Sequence, residues 1–584
     1  MLKLLSYLQR KEWTFIAFSV MFIVLQVWLD LKLPDYMFKI TMLVQTPGSE
    51  TGEVLDQGVF MLLCAIGSMA AAIVTSFFAA QVAAGFSLRL RRLVFDRTLS
   101  FSMEEMNRFS TPSLITRSTN DITQVQLLIA TGLQVIVKAP ILAVWAIFKI
   151  TGKSWEWSAA TGVAVALLIA VLLVIVLVAL PKFRIIQTLT DNLNRVTREN
   201  LSGIRVVHAY NAEGFEEQKF EVANEELTRT NLFTMRTMAI LMPTIGFIMS
   251  GISLAIYWIG AFLIQAASGP EKLTIFSNMV VFSSYAMQVI MAFMMLSIIF
   301  ILLPRAAVSA KRIQEVLATK AMILPGNEVQ GKPGIKGKVE FHNVTFRYPD
   351  AAEAILENIS FTASLGETVA IIGSTGSGKS TLVNLIPRFF DVTEGEILVD
   401  GVDVRNYTKE ALHSKIGFVS QKAELFSGSV KSNVAFGDTS IEEDMLKKAL
   451  EIAQAADFVE KMEERYEAPI SQSGTNLSGG QKQRLSIARA IYKQPEIYVF
   501  DDSFSALDYK TDRVLRSLLK QEISDATSII VAQRIGTIKD ADRILVLDEG
   551  KLVGTGTHEE LMETCDVYQE IAYSQLSKEE LANG

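Results

Sequence analysis

The sequence predicts a membrane α-helical domain, with six transmembrane helices and long cytoplasmic extensions, followed by an α/β domain that contains a P-loop. Its 584 residues exceed the roughly 250–300 at which a single hydrophobic core stops growing. Half of the residues are hydrophobic and only 20% are charged, whereas soluble proteins contain about 25% charged residues. Because the long apolar runs fall in the first half of the chain, we expect one membrane-embedded domain and one soluble domain.

Six apolar runs carry the membrane prediction. Each is at least as long as the roughly 20 residues that a helix needs to cross the hydrocarbon layer. The soluble half begins after a stretch rich in Gly and Pro, which is typical of a linker. We therefore expect a transmembrane domain at 1–320, a linker at 321–338 and a soluble domain at 339–584. The predicted spans are 13–33, 58–84, 127–150, 158–180, 238–267 and 274–303.

The distribution of basic residues predicts the orientation. The connections after the second and fourth spans are long and rich in Arg and Lys, whereas those after the third and fifth are poor in both. By the positive-inside rule, both chain ends and the soluble domain lie on the cytoplasmic side of the cell membrane. We also expect an amphipathic helix at 4–10 on the inner membrane surface, and short cross-helices at 113–126 and 201–216 within the two basic connections.

Charges and cysteines exclude several classes of protein. The 55 Lys+Arg and 62 Asp+Glu give a net charge of −7, which offers no basic excess for nucleic acid. Cys64 and Cys565 lie too far apart in the sequence to suggest a disulfide framework. Lys138 is the one clear charge predicted inside the membrane, where it is expected to extend toward the interface. No carboxylate is expected in the middle of a span, so energy should come from the soluble domain.

A P-loop lies in the soluble half. It follows a predicted strand at 368–372 and precedes a predicted helix at 381–390, which is the context that this motif requires. Glycines let backbone N–H groups surround a phosphate chain, and the helix N-terminus adds positive potential. Lys379 is expected to reach the terminal phosphates, and the Ser380 hydroxyl to bind Mg²⁺. The loop residues are Gly373, Ser374, Thr375, Gly376, Ser377, Gly378, Lys379, Ser380 and Thr381.

Two further motifs follow the P-loop. A predicted strand from Ile497 ends in Asp501 and Asp502, where a P-loop ATPase holds Mg²⁺ through the first carboxylate. Before it, a five-residue run precedes a predicted basic helix at 482–492; its members are Leu477, Ser478, Gly479, Gly480 and Gln481. With six spans and both nucleotide motifs, this run makes the whole chain resemble an ATP-binding cassette (ABC) exporter half-transporter, whose soluble part is an α/β P-loop ABC ATPase domain.

The resemblance implies roles for other positions. Tyr348 is similar to the aromatic residue that stacks on adenine, and Gln421 to the residue that senses Mg²⁺. In this family ATP and Mg²⁺ are bound between two nucleotide-binding domains, and the signature motif of one domain closes over the ATP of the other. A single domain of this kind must therefore pair with a second one. The family's D-loop is matched by Ser505, Ala506, Leu507 and Asp508.

Two positions depart from the family pattern. Active members carry Glu where this chain has Asp502, and His where it has Gln533. The shorter Asp502 side chain is expected to sit too far from an attacking water for general-base catalysis. Gln533 cannot carry a proton beside the terminal phosphate. Gln472 also replaces the usual Glu of the loop before the signature motif, and the chain's histidines lie elsewhere: His208, His342, His413 and His558.

These departures predict a degenerate-site subunit of a heterodimeric exporter. A second, non-identical half-transporter would bring the competent site, which this chain's signature motif would complete. A small apolar or amphipathic cargo, as in multidrug efflux, fits the sixth span, where adaptable side chains cluster; they are Met287, Gln288, Met291, Phe293, Met294 and Met295. The alternative is that these side chains face lipid or a neighbouring helix. Membrane lipids are expected partners as well. The alternatives are a homodimeric lipid or drug flippase or a peptide exporter, each with slow ATPase activity, and an ATP-regulated membrane protein without pumping.

Overall fold

The computed structural model describes residues 2–46, 48–151, 154–269, 271–349 and 351–575. They form two compact units. The first comprises Met1–Leu99 and Pro112–Thr319, and the second comprises Ser100–Thr111 and Lys320–Gly584. The short segment Ser100–Thr111, which lies between the second and third spans in sequence, therefore belongs with the soluble unit.

The membrane unit consists of long helices, and six of the helical segments in its described residues are long and apolar enough to span a bilayer. The six predicted spans are thus confirmed. Five of them lie within a helix that extends beyond them, whereas the fifth, 238–267, starts at the end of the ninth helix and covers the whole of the tenth. In chain order the helices up to the soluble part are α1 (Leu2–Leu5), α2 (Arg10–Gln45), α3 (Thr51–Leu99), α4 (Met103–Phe109), α5 (Thr111–Thr116), α6 (Ile122–Thr151), α7 (Trp155–Ser202), α8 (Ile204–Ala209), α9 (Glu213–Ala239), α10 (Leu241–Ala266) and α11 (Glu271–Ala318).

Two short helices differ from their predicted positions. The amphipathic helix predicted at 4–10 is wrong in extent, because α1 ends at Leu5 and α2 already begins at Arg10. A capping box between Gln9 and Glu12 sets that beginning, since it satisfies backbone N–H groups that the first turn leaves unpaired. The cross-helix predicted at 113–126 is not separate either. Helix α5 and a π-helical turn, Arg117–Asp121, run directly into α6.

The second predicted cross-helix, at 201–216, is partly confirmed, because α8 lies inside that range. Helix α7 ends at Ser202, α8 begins at Ile204, and α9 follows from Glu213. The break after α7 is at Gly203, whose non-helical backbone forms the cap of both neighbouring helices.

Helices α2, α3, α6 and α11 pack together, and α7 packs chiefly with α9 and α10. An apolar core joins the two groups through side chains such as Ile23, Trp157, Ile252 and Phe282, all of them buried. Trp157 also donates its indole N–H to the carbonyl of Ile256 at 3.2 Å. The membrane unit therefore has a continuous apolar interior across both groups.

The structure gives Lys138 a partner that the sequence did not predict. Its Nζ lies 3.3 Å from Oδ2 of Asp30. Asp30 falls near the end of the predicted first span, 13–33. On the same helices, Lys149 Nζ lies 2.7 Å from Oδ2 of Asp35. Pairing explains why these charges are tolerated, because an unpaired charge in a bilayer is far more costly.

The soluble unit is an α/β domain, which confirms the predicted fold class. Its described strands are β1 (Val339–Phe346), β2 (Leu356–Ala363), β3 (Thr368–Gly373), β4 (Glu394–Val399), β5 (Val402–Asp403), β6 (Ile416–Val419), β7 (Gly428–Ser429), β8 (Pro469–Ile470), β9 (Ile497–Asp501), β10 (Thr527–Val531), β11 (Arg543–Asp548) and β12 (Lys551–Gly556). A six-stranded sheet has the order β12-β11-β3-β10-β9-β6 and is parallel except for its edge strand β12. A four-stranded antiparallel sheet has the order β2-β1-β4-β5.

Helices cover the larger sheet, so its central strands are buried on both faces, as parallel sheets require. Along β3, Val369 and Ile371 face one apolar core, and Ala370 and Ile372 face the other. The helices of this unit after α4 are α12 (Lys379–Leu385), α13 (Lys409–Lys415), α14 (Val430–Val434), α15 (Glu443–Ile452), α16 (Ala456–Val459), α17 (Gly479–Tyr492), α18 (Tyr509–Glu522), α19 (Ile535–Ile538), α20 (His558–Thr564) and α21 (Asp566–Gln575).

Helix α4 is attached to the segment that leads from α11 into the soluble domain. Glu105, which is 2% exposed, accepts hydrogen bonds from the Ser102 backbone N–H at 2.7 Å and from the Met322 backbone N–H at 2.7 Å. Burial of the carboxyl raises its pKa and these hydrogen bonds lower it, and the net effect is a lowered pKa. The segment beyond Met322 also packs on this domain, since Gly326 N–H donates to the carbonyl of Tyr407 at 2.8 Å.

Candidate functional site

The P-loop connects β3 to α12 at the carboxyl end of the parallel strands. Gly376 and Gly378 have φ angles of 87° and 94°. Residues other than glycine rarely adopt this backbone conformation. A Cβ atom at Gly378 would lie 2.8 Å from Leu356 Cδ2 and 3.0 Å from the Ile355 carbonyl. Only glycine fits this position, and the loop stays open for backbone N–H groups to approach a ligand.

Lys379 folds over the P-loop. Its Nζ donates to the carbonyls of Gly373 at 2.9 Å and Ser374 at 2.7 Å. Burial lowers the pKa of this ammonium, and the charges of Asp502 and Asp501 oppose that effect. A phosphate oxygen could replace these carbonyls as its partner, because an ionised acceptor makes the stronger hydrogen bond.

Ser380 and Asp501 come from different elements and meet in the site. The Ser380 hydroxyl donates to Oδ1 of Asp501 at 2.8 Å. Asp501 ends β9 and is 5% exposed, and burial raises its pKa, with the charge of Asp502 adding to that effect. A buried carboxylate beside a hydroxyl is an oxygen donor set of the kind that Mg²⁺ prefers.

Asp502 is held by two side-chain amides. Gln533 Nε2 donates to Oδ2 of Asp502 at 2.7 Å, and Gln421 Nε2 donates to the same oxygen at 3.3 Å. Burial raises the pKa of Asp502, while these amides and Ser505 lower it in part. The backbone of Asp502 is left-handed, with φ of 46°, a strained geometry that often marks functional sites. The structure thus brings Gln421, Asp502 and Gln533 into one group.

Gln575 positions this group, although no sequence motif points to it. Its Oε1 accepts from Ile535 N–H at 2.9 Å, and its Nε2 donates to the Gln533 carbonyl at 2.7 Å. It lies 42 residues beyond Gln533, and no motif spacing relates the two. The turn that carries Gln533 is therefore fixed by the end of α21.

Tyr348 lies beside the start of α12. Its ring packs edge-on against Phe346 and Phe390, with centroids 4.9 Å and 5.3 Å away. Its hydroxyl lies 3.2 Å from Oγ1 of Thr381. The side chain is half-buried, and its place beside the P-loop helix is compatible with stacking on a nucleobase.

The signature motif forms the start of α17, which begins three residues earlier than predicted. Ser478 and Gln481 form a capping box: Gln481 N–H donates to Ser478 Oγ at 3.3 Å, and Ser478 N–H to Gln481 Oε1 at 2.8 Å. Leu477 is anchored in the core, whereas Ser478 and Gly479 are exposed. A Cβ at Gly480 would lie 3.2 Å from the carbonyl of Ala506, so the signature motif and the D-loop are close neighbours.

The D-loop residues and Gln472 are the remaining predicted site residues. Asp508 caps α18 by accepting from Thr511 N–H at 3.0 Å, and Leu507 is buried. Ser505 donates its hydroxyl to the Asp502 carbonyl at 2.9 Å. Gln472 lies in an exposed 3₁₀ turn before the signature motif. In the part of the chain that the structure describes, no cluster of three or more His, Cys, Asp or Glu residues could hold a metal.

The residues present fit a nucleoside triphosphate with Mg²⁺. Ser380 and Asp501 would hold the ion, with Gln421 nearby, and Lys379 with the loop from Gly373 would hold the phosphates. Bound Mg²⁺ would neutralise phosphate charge. The protein itself supplies the cradle, the half-buried aromatic Tyr348 and a carboxylate that is already engaged by amides.

Both halves of the chain match known families. Residues 356–505 match the ABC transporter domain, and residues 16–293 match the ABC transporter transmembrane region. The chain is also similar to a solved structure of a bacterial Atm1-family ABC exporter with ATP bound, with a TM-score of 0.81 and 24% identity. The similarity covers 97% of this chain and 100% of that one, which establishes the shared fold.

Similar proteins occur in several bacteria. An uncharacterized ABC transporter ATP-binding protein of Mycobacterium tuberculosis is 41% identical over 537 residues, which is 90% of each chain. A second uncharacterized one, from Bacillus subtilis, is 34% identical over 522 residues, 89% of this chain and 90% of that one. An ATP-dependent lipid A-core flippase of Pseudomonas aeruginosa is 31% identical over 495 residues, covering 83% of this chain and 79% of the flippase.

Proposed function

This chain belongs to the ABC transporter family, and we propose that it is one subunit of a heterodimeric exporter that uses ATP and Mg²⁺ to move apolar or amphipathic compounds out of the cell. Its own ATP site is degenerate: it binds Mg-ATP and cleaves it slowly. Its signature motif completes the hydrolytic site of a second, non-identical half-transporter. The cargo is of the multidrug type, and the chain is a multi-pass protein of the cell membrane.

The hydrogen bond from Gln533 to Asp502 carries this proposal. A general base must reach the proton that it abstracts, at about 2.6–3.2 Å between heavy atoms. Asp502 has a short side chain, and its Oδ2 already accepts from both Gln533 and Gln421. Gln533 stands where a histidine could have donated to a phosphate, and its amide faces the carboxylate instead. The pair is therefore suited to binding without rapid hydrolysis.

The exposed start of α17 supports the role in a partner's site. Ser478 and Gly479 are exposed, and nothing lies within 4 Å of a Cβ atom built at Gly479. Backbone N–H groups and a serine hydroxyl at this surface are free to approach the phosphates of a nucleotide held by another chain. A hydrolytic transition state needs such additional donors.

The orientation follows from the charge distribution. The segments with many Arg and Lys residues fall at the carboxyl-terminal end of α3 and in α7 and α9, and the positive-inside rule places them in the cytoplasm. The two chain ends and the nucleotide-binding domain then lie on the cytoplasmic side. ATP is available there, so both sandwiched sites can be loaded from the cytosol.

The test is ATP turnover of the purified chain alone and then together with a second half-transporter encoded beside it. We expect slow turnover alone and fast turnover of the pair. In the pair, Asp502→Ala should change turnover by less than about twofold, whereas Ser478→Arg should abolish it. Fast turnover of the chain alone that Asp502→Ala abolishes would contradict the heterodimer.

A homodimeric lipid flippase is the second candidate, and the similarity to lipid A-core flippases favours it. In a homodimer Asp502 and Gln533 would occur in both sites, so both would be slow. The two candidates differ in one measurement: a homodimer moves a fluorescent lipid across a vesicle membrane without any other chain, and Ser478→Arg in that single chain stops it.

A further inference from the structure

Two ion pairs connect α2 to α6 within the packed group of α2, α3, α6 and α11. Asp30 on α2 pairs with Lys138 on α6 at 3.3 Å, and Asp35 on α2 pairs with Lys149 on α6 at 2.7 Å. All four residues belong to helices long and apolar enough to span a membrane. Charges inside a membrane-spanning helix are costly and default to functional roles, and the nucleotide site does not use these.

Each carboxylate is held by a second contact on its other oxygen. The Ser68 hydroxyl of α3 donates to Oδ1 of Asp30. The Tyr285 hydroxyl of α11 lies 2.6 Å from Oδ1 of Asp35. The carboxylates are thus fixed by neighbouring helices, whereas each lysine reaches its carboxylate through a long flexible side chain. A ligand could take over a lysine without moving the carboxylate.

Both pairs are accessible to a small group. The charged side chains of these pairs are between 19% and 33% exposed, in contrast to Tyr285 beside them, which is fully buried. On α6, between the two lysines, lies an open apolar groove that is lined by Pro140, Ile141, Val144, Trp145 and Phe148. Charged groups and an apolar surface therefore adjoin on one helix.

The geometry points to a lipid-binding site in which the Asp30–Lys138 pair takes the headgroup of a zwitterionic phospholipid and the α6 groove takes an acyl chain. This inference rests on the proposed function, and it names the substrate class within it. The phosphate would pair with Lys138, and the ammonium group would pair with Asp30.

Charge balance selects a zwitterion. The two pairs together carry no net charge, and a buried charge without a partner costs several kcal/mol. An anionic headgroup that displaced Asp30 from Lys138 would leave that carboxylate unpaired, and a cationic headgroup would leave the lysine unpaired. A headgroup with both charges replaces one ion pair by two, so no charge loses its partner.

The experiment measures lipid binding to the full chain in non-ionic maltoside micelles by native mass spectrometry. The probes are phosphatidylethanolamine, which is zwitterionic, and phosphatidylglycerol, which is anionic, with the same acyl chains. We expect phosphatidylethanolamine to bind about tenfold or more tightly. Lys138→Met and Asp30→Asn should each remove that preference, and Lys338→Met, which breaks an ion pair in the soluble domain, should leave it unchanged.

A charge swap separates binding from folding. Asp30→Lys combined with Lys138→Asp restores an ion pair, so it should fold and recover the preference even if the single variants are unstable. Equal binding of the two lipids, or a preference that survives Lys138→Met, would overturn the inference. A complex that hydrolyses ATP and exports without headgroup preference would also overturn it and leave the proposed function standing. Lipid preference without ATP-driven transport would support the site and overturn the proposed function.

Discussion

The side-chain amide of Gln533 donates to Oδ2 of Asp502 at 2.7 Å. The residue expected to act on the terminal phosphate and the residue expected to act on the attacking water are therefore bonded to each other. Compared with the family pattern, this chain has Asp502 in place of Glu and Gln533 in place of His. The two replacement residues are joined by one hydrogen bond. We expect the pair, rather than either residue alone, to limit hydrolysis at this site.

Opening that contact and lengthening the carboxylate should accelerate hydrolysis. The double variant Asp502→Glu with Gln533→His restores a longer base and an imidazole. Because a positioned general base contributes about 10²–10⁴-fold, we expect at least a tenfold rise in turnover of the purified chain, measured by phosphate release. Each single variant should gain much less, since one half of the pair stays altered.

The matched control adds Lys379→Ala to the double variant, which should abolish the gain if it arises at this chain's own site. A double variant no faster than the wild-type chain would show that the Gln533–Asp502 contact does not limit hydrolysis.

Removing the buried charge of Asp501 should stabilise the nucleotide-free protein. Its pKa is raised from 3.8 by burial, so the carboxyl contributes stability below pH 3.8 that is lost as the pH rises through the raised pKa. Asp501→Asn does not titrate and can still accept from Ser380. At pH 7 its melting temperature should exceed that of the wild type by about 2–4 °C, measured calorimetrically.

The difference should shrink as the pH falls from 7 toward 4, because the wild-type carboxyl then takes up its proton. Added Mg-ATP should reverse the order at pH 7, since only the wild type offers a carboxylate to the ion. An Asn variant that is less stable at pH 7 without nucleotide would contradict the assigned pKa direction.

The Tyr348 ring, rather than its hydroxyl, should determine nucleotide affinity. Stacking of a base on an aromatic ring is worth about 1–3 kcal/mol, whereas a single hydrogen bond such as that with Thr381 contributes about 0.5–1.5 kcal/mol. Tyr348→Ala should weaken binding of a fluorescent ATP analogue about tenfold or more, and Tyr348→Phe less than about threefold. Equal losses would argue against a stacking role.

Local patterns predicted the elements of the soluble domain well. The strands that lead into the P-loop and into Asp502 end within one residue of the prediction, because a short buried apolar run between polar turns has a clear signal. Where the boundary of a helix differs from the prediction, residues next to that boundary are the cause. Helix α12 stops at Leu385, five residues early, because Pro387 has no N–H to continue it; α17 starts early because Ser478 and Gln481 form a capping box.

Contacts between distant residues could not be predicted in this way. The pairing of Asp30 with Lys138 depends on which helices adjoin, and a single sequence carries no such information. Gln575 likewise reaches Gln533 only because α21 folds back beside it. The sequence identified Lys138 as unusual, yet its partner had to come from the packing of α2 against α6.

The Glu105 carboxylate should protect the segment that follows α11. It accepts from Met322 N–H at 2.7 Å, two residues after the exposed Lys320. Glu105→Ala should increase the rate of tryptic cleavage at Lys320 several-fold, because local opening exposes backbone to protease. Glu105→Gln keeps an acceptor and should show a smaller effect. The exposed neighbour Asn107, changed to Ala, serves as the control, and a rate that Asn107→Ala raises as much as Glu105→Ala would rule out a specific role.

Pro34 lies inside α2. Proline has no N–H, so the carbonyl of Asp30, four residues earlier, loses its helical donor. Gln288 of α11 supplies one, with its Nε2 3.4 Å from that carbonyl. Neighbouring side chains often satisfy such freed groups in membrane helices. The two residues should therefore be coupled in stability.

A double-mutant cycle measures that coupling. Gln288→Leu alone should lower the free energy of unfolding by about 0.6–1.7 kcal/mol, the range for hydrogen bonds between membrane helices. In a Pro34→Ala background, the alanine N–H can donate to the Asp30 carbonyl within the helix, so the same Gln288→Leu change should cost close to nothing. Unfolding in detergent, followed by tryptophan fluorescence, gives each value. Equal costs in the two backgrounds would show that Gln288 acts through packing, since only a hydrogen bond to the freed carbonyl becomes redundant when the proline is removed.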